Sequence, residues 1–286
     1  MNRTGRILLI ILVTATAGCG GEKASSDPAT ALTSGWGNYR VGEYSGAIKD
    51  FEIALSQGDA AQKRQALYAL ATTWNLRRPD EDPAKARGLY QQLIKGQKDD
   101  LSAWSLLALA RMDHLVPIGQ VPDFAQVRRA YQAVIDEYPG HPAAQEAFVF
   151  QQSTWVATLK TDDAKSCLQS LQKFLVDHPE SRYRSSVYGL MAACYRTLKQ
   201  PDERLQSEIM ALETREVDVS NPNLDSSSNY WLIATTAEFD AGDFAIARTY
   251  YRKLIAEYPV DARVYAATQA LKRMDDTEMQ LREAKG

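Results

Sequence analysis

The sequence predicts an all-α protein built as a solenoid of stacked helix pairs. A nine-residue phrase supports this prediction: Tyr131–Pro139 returns as Tyr251–Pro259 and, more loosely, as Leu171–Pro179, so that its prolines lie 40 and 80 residues apart. Fainter copies start at Phe51, Tyr90 and Ile209, and the first apolar residue of the phrase recurs after 39, 41, 40, 38 and 42 residues. Such a period indicates a unit that cannot bury its apolar face alone and must stack on its neighbours.

The first unit contains a helix, a turn and a second helix. Residues 31–39 can form the first helix, and Gly42–Tyr44 forms the turn. The second helix presents one apolar face at helical spacing, made of Ala47, Phe51 and Ala54. Glycine ends the first helix because it adopts positive φ without a steric penalty. The small alanine lets the paired helices approach closely, and the aromatic residue fills the space toward the next unit.

The last unit repeats this order, with a helix over 230–241, a turn at Gly242–Phe244 and an apolar face of Ala247, Tyr251 and Leu254. The shared pattern Gly-[Glu/Asp]-[Tyr/Phe]-x-x-Ala-x-x-x-[Phe/Tyr]-x-x-[Ala/Leu], closed by a proline in the last unit, resembles the tetratricopeptide repeat. Three residues of the third unit also match its first helix, namely Trp104, Leu107 and Ala108.

The resemblance spans roughly residues 30–280 and implies six helix pairs and a terminal capping helix, wound into a right-handed superhelix. HEAT-like helix pairs, with periods of about 40 residues, are the second interpretation. The Gly-Asp-Phe turn and the Tyr-Pro closure favour the tetratricopeptide pattern. We expect one superhelical domain over 30–286, in which a helix over 261–285 covers the apolar edge of the final unit.

Several connections depart from the pattern. The turns at 77–83 and 197–202 lack glycine, and 216–228 is a polar spacer. The connection over 113–124 contains two prolines, which exclude a continuous helix. It is either a contact loop or a segment that packs onto adjacent helices, and the second interpretation is favoured. The residues expected to pack are Val116, Ile118 and Phe124.

The N-terminus predicts a signal. Arg3 and Arg6 precede an apolar run over 7–13, which is too short to span a bilayer of about 30 Å. Small residues lead into Ala17-Gly18-Cys19, which resembles the lipobox of bacterial lipoproteins and implies cleavage after residue 18 and a lipid on Cys19. An ordinary signal peptide or a fortuitous cysteine is the alternative. Residues 19–29 predict a flexible tether, and the glycine after Cys19 indicates the periplasmic face of the outer membrane.

Composition argues against several functions. The net charge is −3 with no basic stripe, which excludes the electrostatic footprint of a nucleic-acid partner. His114, His141 and His178 have no ligand spacing, no Cys-x-x-Cys exists and no glycine loop could hold a phosphate. We therefore expect no enzymatic activity, no metal and no cofactor, and membrane attachment only through the lipid.

Two cysteines remain beyond Cys19. Cys167 falls where other units have Ala47, Val127 and Ala247, so it is a small core residue in the simplest interpretation. In an oxidising envelope, the first helix of the following unit could bring Cys194 close enough for a disulfide. Both interpretations stay open at this point.

The resemblance implies a scaffold that binds protein partners in an inner groove lined by first helices. It extends in a generic way to envelope lipoproteins such as the repeat lipoprotein of the β-barrel assembly machinery, and to cell-division coordinators. We expect partner contacts from residues that follow the packing positions of the first helices: Trp36, Tyr39, Arg40, Met112, Arg196, Thr236, Phe239 and Asp240. Leu32 and Trp36 occupy places where a carboxylate clamp has cationic and amide residues, which argues against capture of a free C-terminus.

A glycan- or peptidoglycan-binding lipoprotein is the alternative function. It would use aromatic stacking platforms. The candidate platforms are Trp36, Trp104, Trp155 and Trp231.

Overall fold

The computed structural model describes residues 27–77, 79–216 and 225–284, and these residues form two compact units that divide between Leu89 and Tyr90. Thirteen α-helices lie in the described residues, and none of their residues is in a strand. The helices are α1 (Pro28–Arg40), α2 (Tyr44–Gln57), α3 (Ala60–Leu76), α4 (Pro83–Ile94), α5 (Asp100–His114), α6 (Phe124–Glu137), α7 (Pro142–Val156), α8 (Thr161–Asp177), α9 (Arg184–Leu198), α10 (Pro201–Glu213), α11 (Ser227–Thr235), α12 (Phe244–Glu257) and α13 (Val264–Glu283). A π-helical segment over Thr236–Ala241 continues α11 without a break.

In the first unit, α1, α2 and α3 pack against one another. The predicted face of α2 forms the centre of this core, since Ala47, Phe51 and Ala54 have no exposed surface. Gly35 on α1 lies directly against the Phe51 ring, where a Cβ atom would clash with the ring carbons. The close approach predicted between the paired helices is therefore confirmed, and it also needs a glycine on the first helix.

In the second unit, each helix from α5 to α13 packs on the next, and α5 with α7 and α7 with α9 add contacts two helices apart. Such contacts are those of a helical solenoid. Ala247, Tyr251 and Leu254 of α12 are fully buried, as predicted for the last repeat. The terminal helix α13 closes this core with Met274, which is also fully buried.

The three Tyr-Pro-like closures have the same backbone geometry. Tyr138, His178 and Tyr258 each follow the last residue of a second helix, with φ between −133° and −130° and ψ between 52° and 62°. An extended residue before proline is expected, because the pyrrolidine ring disfavours the helical conformation there. The repeated phrase thus encodes a repeated helix end.

Among the described residues, each connection inside a helix pair contains a left-handed residue. Glycine fills this place at Gly42, Gly119 and Gly242, whereas non-glycine residues fill it in the other pairs. The non-glycine residues are Asp80, Leu159 and Lys199, with φ of 71°, 56° and 57°. Asp80 and Lys199 therefore adopt the left-handed conformation that glycine adopts in other connections, and for Lys199 the steric cost is about 1–2 kcal/mol.

The connection between α5 and α6 differs from the favoured expectation. Ile118 is fully exposed, and Leu115 and Val121 are 62% and 83% exposed. The prediction that Ile118 packs onto a neighbouring helix is therefore wrong; Pro117 and Pro122 exclude a continuous helix here, and the chain between them lies at the surface. Val116 is half-buried, and Phe124 is half-buried against the His114 ring.

Candidate functional site

Two adjoining pockets lie between α9, α10 and α11 with its π-helical segment. We call them together the α9–α11 groove. Their volumes are about 330 and 200 Å³, and both are lined by Arg196 and Arg204. The first pocket is also lined by Tyr195, Lys199, Gln200, Pro201, Phe239 and Asp240. The second is also lined by Gly189, Ala192, Ala193, Glu208, Ala211, Asn229, Leu232 and Ile233.

The end of α9 supplies the exposed cations of this groove. Arg196 lies in the last turn of α9, where the negative end of the helix dipole stabilises a cation. Lys199 follows the helix in the left-handed conformation. Both side chains are exposed, and neither has an ion pair or side-chain hydrogen bond in the part of the chain that the structure describes. Pro201 then begins α10, which suits the first turn of a helix.

A paired cation and two carboxylates lie beside these free cations. Arg204 Nε donates to Glu208 Oε1 at 2.8 Å, and Arg204 Nη1 donates to Asp240 Oδ2 at 2.6 Å. Burial raises the pKa of the Glu208 carboxyl, whereas the Thr236 hydroxyl and Arg204 oppose that shift. Within the described residues, Glu208 Oε2 and Thr236 Oγ1 have no well-formed hydrogen bond. Arg204 therefore compensates both carboxylates, and Arg196 and Lys199 give the groove an excess positive charge.

The π-helical segment presents Phe239 at the groove. Its neighbour Glu238 is buried and accepts hydrogen bonds from Tyr251 Oη at 2.8 Å and Arg273 Nη2 at 2.7 Å. Burial and the Glu238 carboxylate raise the pKa of Tyr251. The Phe239 ring is 64% exposed, with Arg273 Cζ at 5.3 Å from its centroid. The Glu238 contacts thus hold the π-turn from inside, while Phe239 points outward.

The structure brings together Arg196, Phe239 and Asp240 from the predicted partner-binding set. Thr236 does not join them as a contact residue, because it is 1% exposed and its hydroxyl lies beside Glu208. The expectation that Thr236 faces a partner is therefore wrong, because the start of the π-helical segment packs on α10 and buries this side chain. The groove is also lined by Lys199, Gln200, Asn229 and Leu232, which were not predicted from the sequence.

The predicted residues of the first and third units lie elsewhere. Trp36 is half-buried and makes edge contacts with Phe51 and Tyr39, with ring centroids 5.2 and 5.5 Å apart. Tyr39 is also half-buried, and burial raises its pKa. Arg40 is exposed at the end of α1, and Met112 is half-buried on α5. Trp36 and Tyr39 therefore contribute to the packing of the first unit. The role of all four residues in partner binding stays a prediction.

The candidate glycan platforms are half-buried side chains. Trp36, Trp104, Trp155 and Trp231 all pack against core clusters of their units. The Trp155 ring is in addition covered by the Arg128 guanidinium at 3.3 Å from its centroid. This arrangement offers none of the four as an open stacking surface.

The three histidines make structural contacts. His114 Nδ1 and Tyr131 Oη are 3.0 Å apart, and burial lowers the pKa of His114. His141 caps α7 by accepting from Ala143 N, and the His178 ring packs on Phe174 at 4.8 Å. In the described ranges, no three His, Cys, Asp or Glu side chains form a group that could hold a metal ion.

The remaining predicted sites concern the cysteines. Cys19, with the signal and most of the tether, lies outside the described residues. Cys167 and Cys194 are free, buried thiols of one apolar cluster, and each changes the pKa of the other. Among the helices that the structure describes, none has the length and apolar character needed to cross a membrane.

Comparison with known proteins agrees with the geometry. Residues 229–259, which comprise α11, its π-helical continuation and α12, match the tetratricopeptide repeat family. A search of curated proteins found no significant match. Tetratricopeptide repeats generally mediate protein–protein interactions, and the family is typically non-catalytic. This match and the succession of packed helix pairs support an all-α, tetratricopeptide-like solenoid in which residues 229–259 form a recognisable tetratricopeptide repeat.

Proposed function

We propose that this chain is a non-catalytic scaffold of the bacterial cell envelope, which binds protein partners in the α9–α11 groove while a lipid on Cys19 anchors it. The observation that carries the binding proposal is the meeting of exposed Phe239 with the unpaired cations Arg196 and Lys199 in one groove. An exposed aromatic beside an arginine is the composition of a binding hot spot.

The groove offers two kinds of contact. Leu232 is 43% exposed and lies beside the small residues Gly189 and Ala193, which leave room for an apolar side chain. Arg196 separates this apolar part from the pocket that contains Phe239 and Lys199. A partner segment that buries an apolar side chain and pairs a carboxylate with Arg196 would use both parts.

A pull-down from detergent-solubilised envelopes tests the proposal. We expect a defined set of proteins to bind the wild type, and to be lost with Arg196→Glu combined with Phe239→Ala. The matched control combines Arg252→Glu and Tyr265→Ala, two exposed positions on α12 and α13. Equal recovery with the groove variant and the control variant would contradict a groove-based scaffold.

Two parallel assays address the anchor and the glycan alternative. Cys19→Ser should release the protein from membranes, and the wild type should incorporate labelled palmitate; a serine variant that stays in the membrane fraction opposes the lipid anchor. Sedimentation with purified sacculi should leave the protein in the supernatant. Cosedimentation that Trp36→Ala or Trp231→Ala abolishes would favour the glycan alternative.

A further inference from the structure

The core between α8 and α9 contains a pair of thiols. Cys167 is 2% exposed on α8, and Cys194 is fully buried on α9. They belong to one apolar cluster together with Leu171 and Val187. These cysteines come from two consecutive repeats, so the stacking of the repeats places their side chains together.

We propose that Cys167 and Cys194 form a reversible disulfide that joins the fourth repeat to the fifth. The Sγ–Sγ bond forms as the disulfide bond of an oxidant breaks, and the two protons and two electrons lost by the cysteines reduce it: oxidised glutathione gives two glutathione thiols, and a thiol–disulfide oxidoreductase gives its dithiol form. The structure represents the reduced form, with both thiols free.

The position of the thiols supports this step. A disulfide needs neighbouring cysteines on elements that already lie close together, and both thiols belong to one buried cluster between the packed helices α8 and α9. The neighbouring Cys167 thiol lowers the pKa of Cys194, whereas Cys194 and burial raise the pKa of Cys167, so the two thiols affect each other. Cys167 also contacts the Gln152 carbonyl oxygen at 3.9 Å.

The bond would lie directly behind the α9–α11 groove. Cys194 precedes Tyr195 and Arg196, which line that groove on the last turn of α9. Oxidation would therefore link α9 covalently to α8 close to the groove. The pairing itself does not depend on the function proposed above; only its oxidation in the cell depends on an oxidising envelope.

Oxidative refolding tests the pair directly. The chain with Cys19→Ser is used, because Cys167 and Cys194 are then its only thiols. The protein is reduced in denaturant, refolded with reduced and oxidised glutathione, quenched in acid, and alkylated with iodoacetamide after denaturation. Intact mass and a non-reducing digest then report the thiols and their linkage. Failure of this test leaves the groove and anchor experiments unaffected.

We expect unalkylated monomer, a linked Cys167–Cys194 peptide, and a melting temperature ~5–10 °C above that of the reduced protein. The control Cys167→Ala should fold, because alanine occupies the equivalent place at Ala47 and Ala247, and its melting temperature should be equal in both buffers. Two alkylated cysteines, glutathione on both, or disulfide-linked dimers would overturn the proposal. An equal stabilisation of Cys167→Ala by oxidation would overturn it as well.

Discussion

Replacement of Ala247 by leucine probes the close helix contact on which the repeat architecture depends. Ala247 has no exposed surface on α12, and it packs in one core with Ala234 and Ala237 of the preceding helix and with Tyr251. A leucine there adds a branched side chain where the helices already touch. Overpacking of this kind costs ~1–3 kcal/mol in the free energy of unfolding.

At ~2–4 °C for each kcal/mol in a protein of this size, the melting temperature should fall by about 2–12 °C. Circular dichroism during thermal and urea unfolding measures the change. Ala245→Leu is the matched control, because it makes the same substitution at an exposed position of α12 and should change stability by less than ~0.5 kcal/mol. Equal destabilisation by the two variants would refute the assigned helical register.

Further predictions concern single side chains. Trp36→Ala should lower the free energy of unfolding by ~3 kcal/mol, because it removes a ring packed on Phe51. The control Arg40→Ala, at an exposed position, should lower it by less than ~0.5 kcal/mol. Comparable losses in urea unfolding would oppose the packing role of Trp36. Lys199→Gly should raise the free energy of unfolding by ~0.5–1 kcal/mol, because glycine tolerates a φ of 57°. Lys199→Ala should give no such gain. An equal gain from both variants would exclude relief of backbone strain. Burial lowers the pKa of folded His114, so the unfolded chain binds more protons and stability should fall as the pH drops below about 6.5. The urea midpoint of His114→Gln should fall less than that of the wild type between pH 7.5 and pH 5, and parallel curves would contradict this assignment.

The repeat core could be predicted from the sequence because small and aromatic residues recur at helical spacing. Ala47 and Phe51, and Ala247 and Tyr251, are buried where the pattern placed them. The left-handed turns at Leu159 and Lys199 could not be predicted from the sequence. The side chains of these residues disfavour a positive φ, which only the surrounding structure imposes.

The residues of the groove could be predicted only in part. Arg196, Phe239 and Asp240 follow from the order of the repeat, because each lies at the end of a first helix. The π-turn was missed, and so was the burial of Thr236, which comes from packing of this segment on α10 beside Glu208. The interactions that hold this turn, between Glu238, Tyr251 and Arg273, join residues far apart in the chain.

Site-specific photo-crosslinking in cells tests most directly whether the α9–α11 groove binds protein partners. A photoreactive phenylalanine analogue replaces Phe239, and the same analogue at Tyr265, an aromatic position 75% exposed on α13, is the control. We predict discrete crosslinked protein adducts from position 239 that are absent at position 265 and are lost when Arg196→Glu is added. The same adducts from both positions, or no adduct from position 239 under conditions where the wild type retains its partners in a pull-down, would contradict partner binding in this groove.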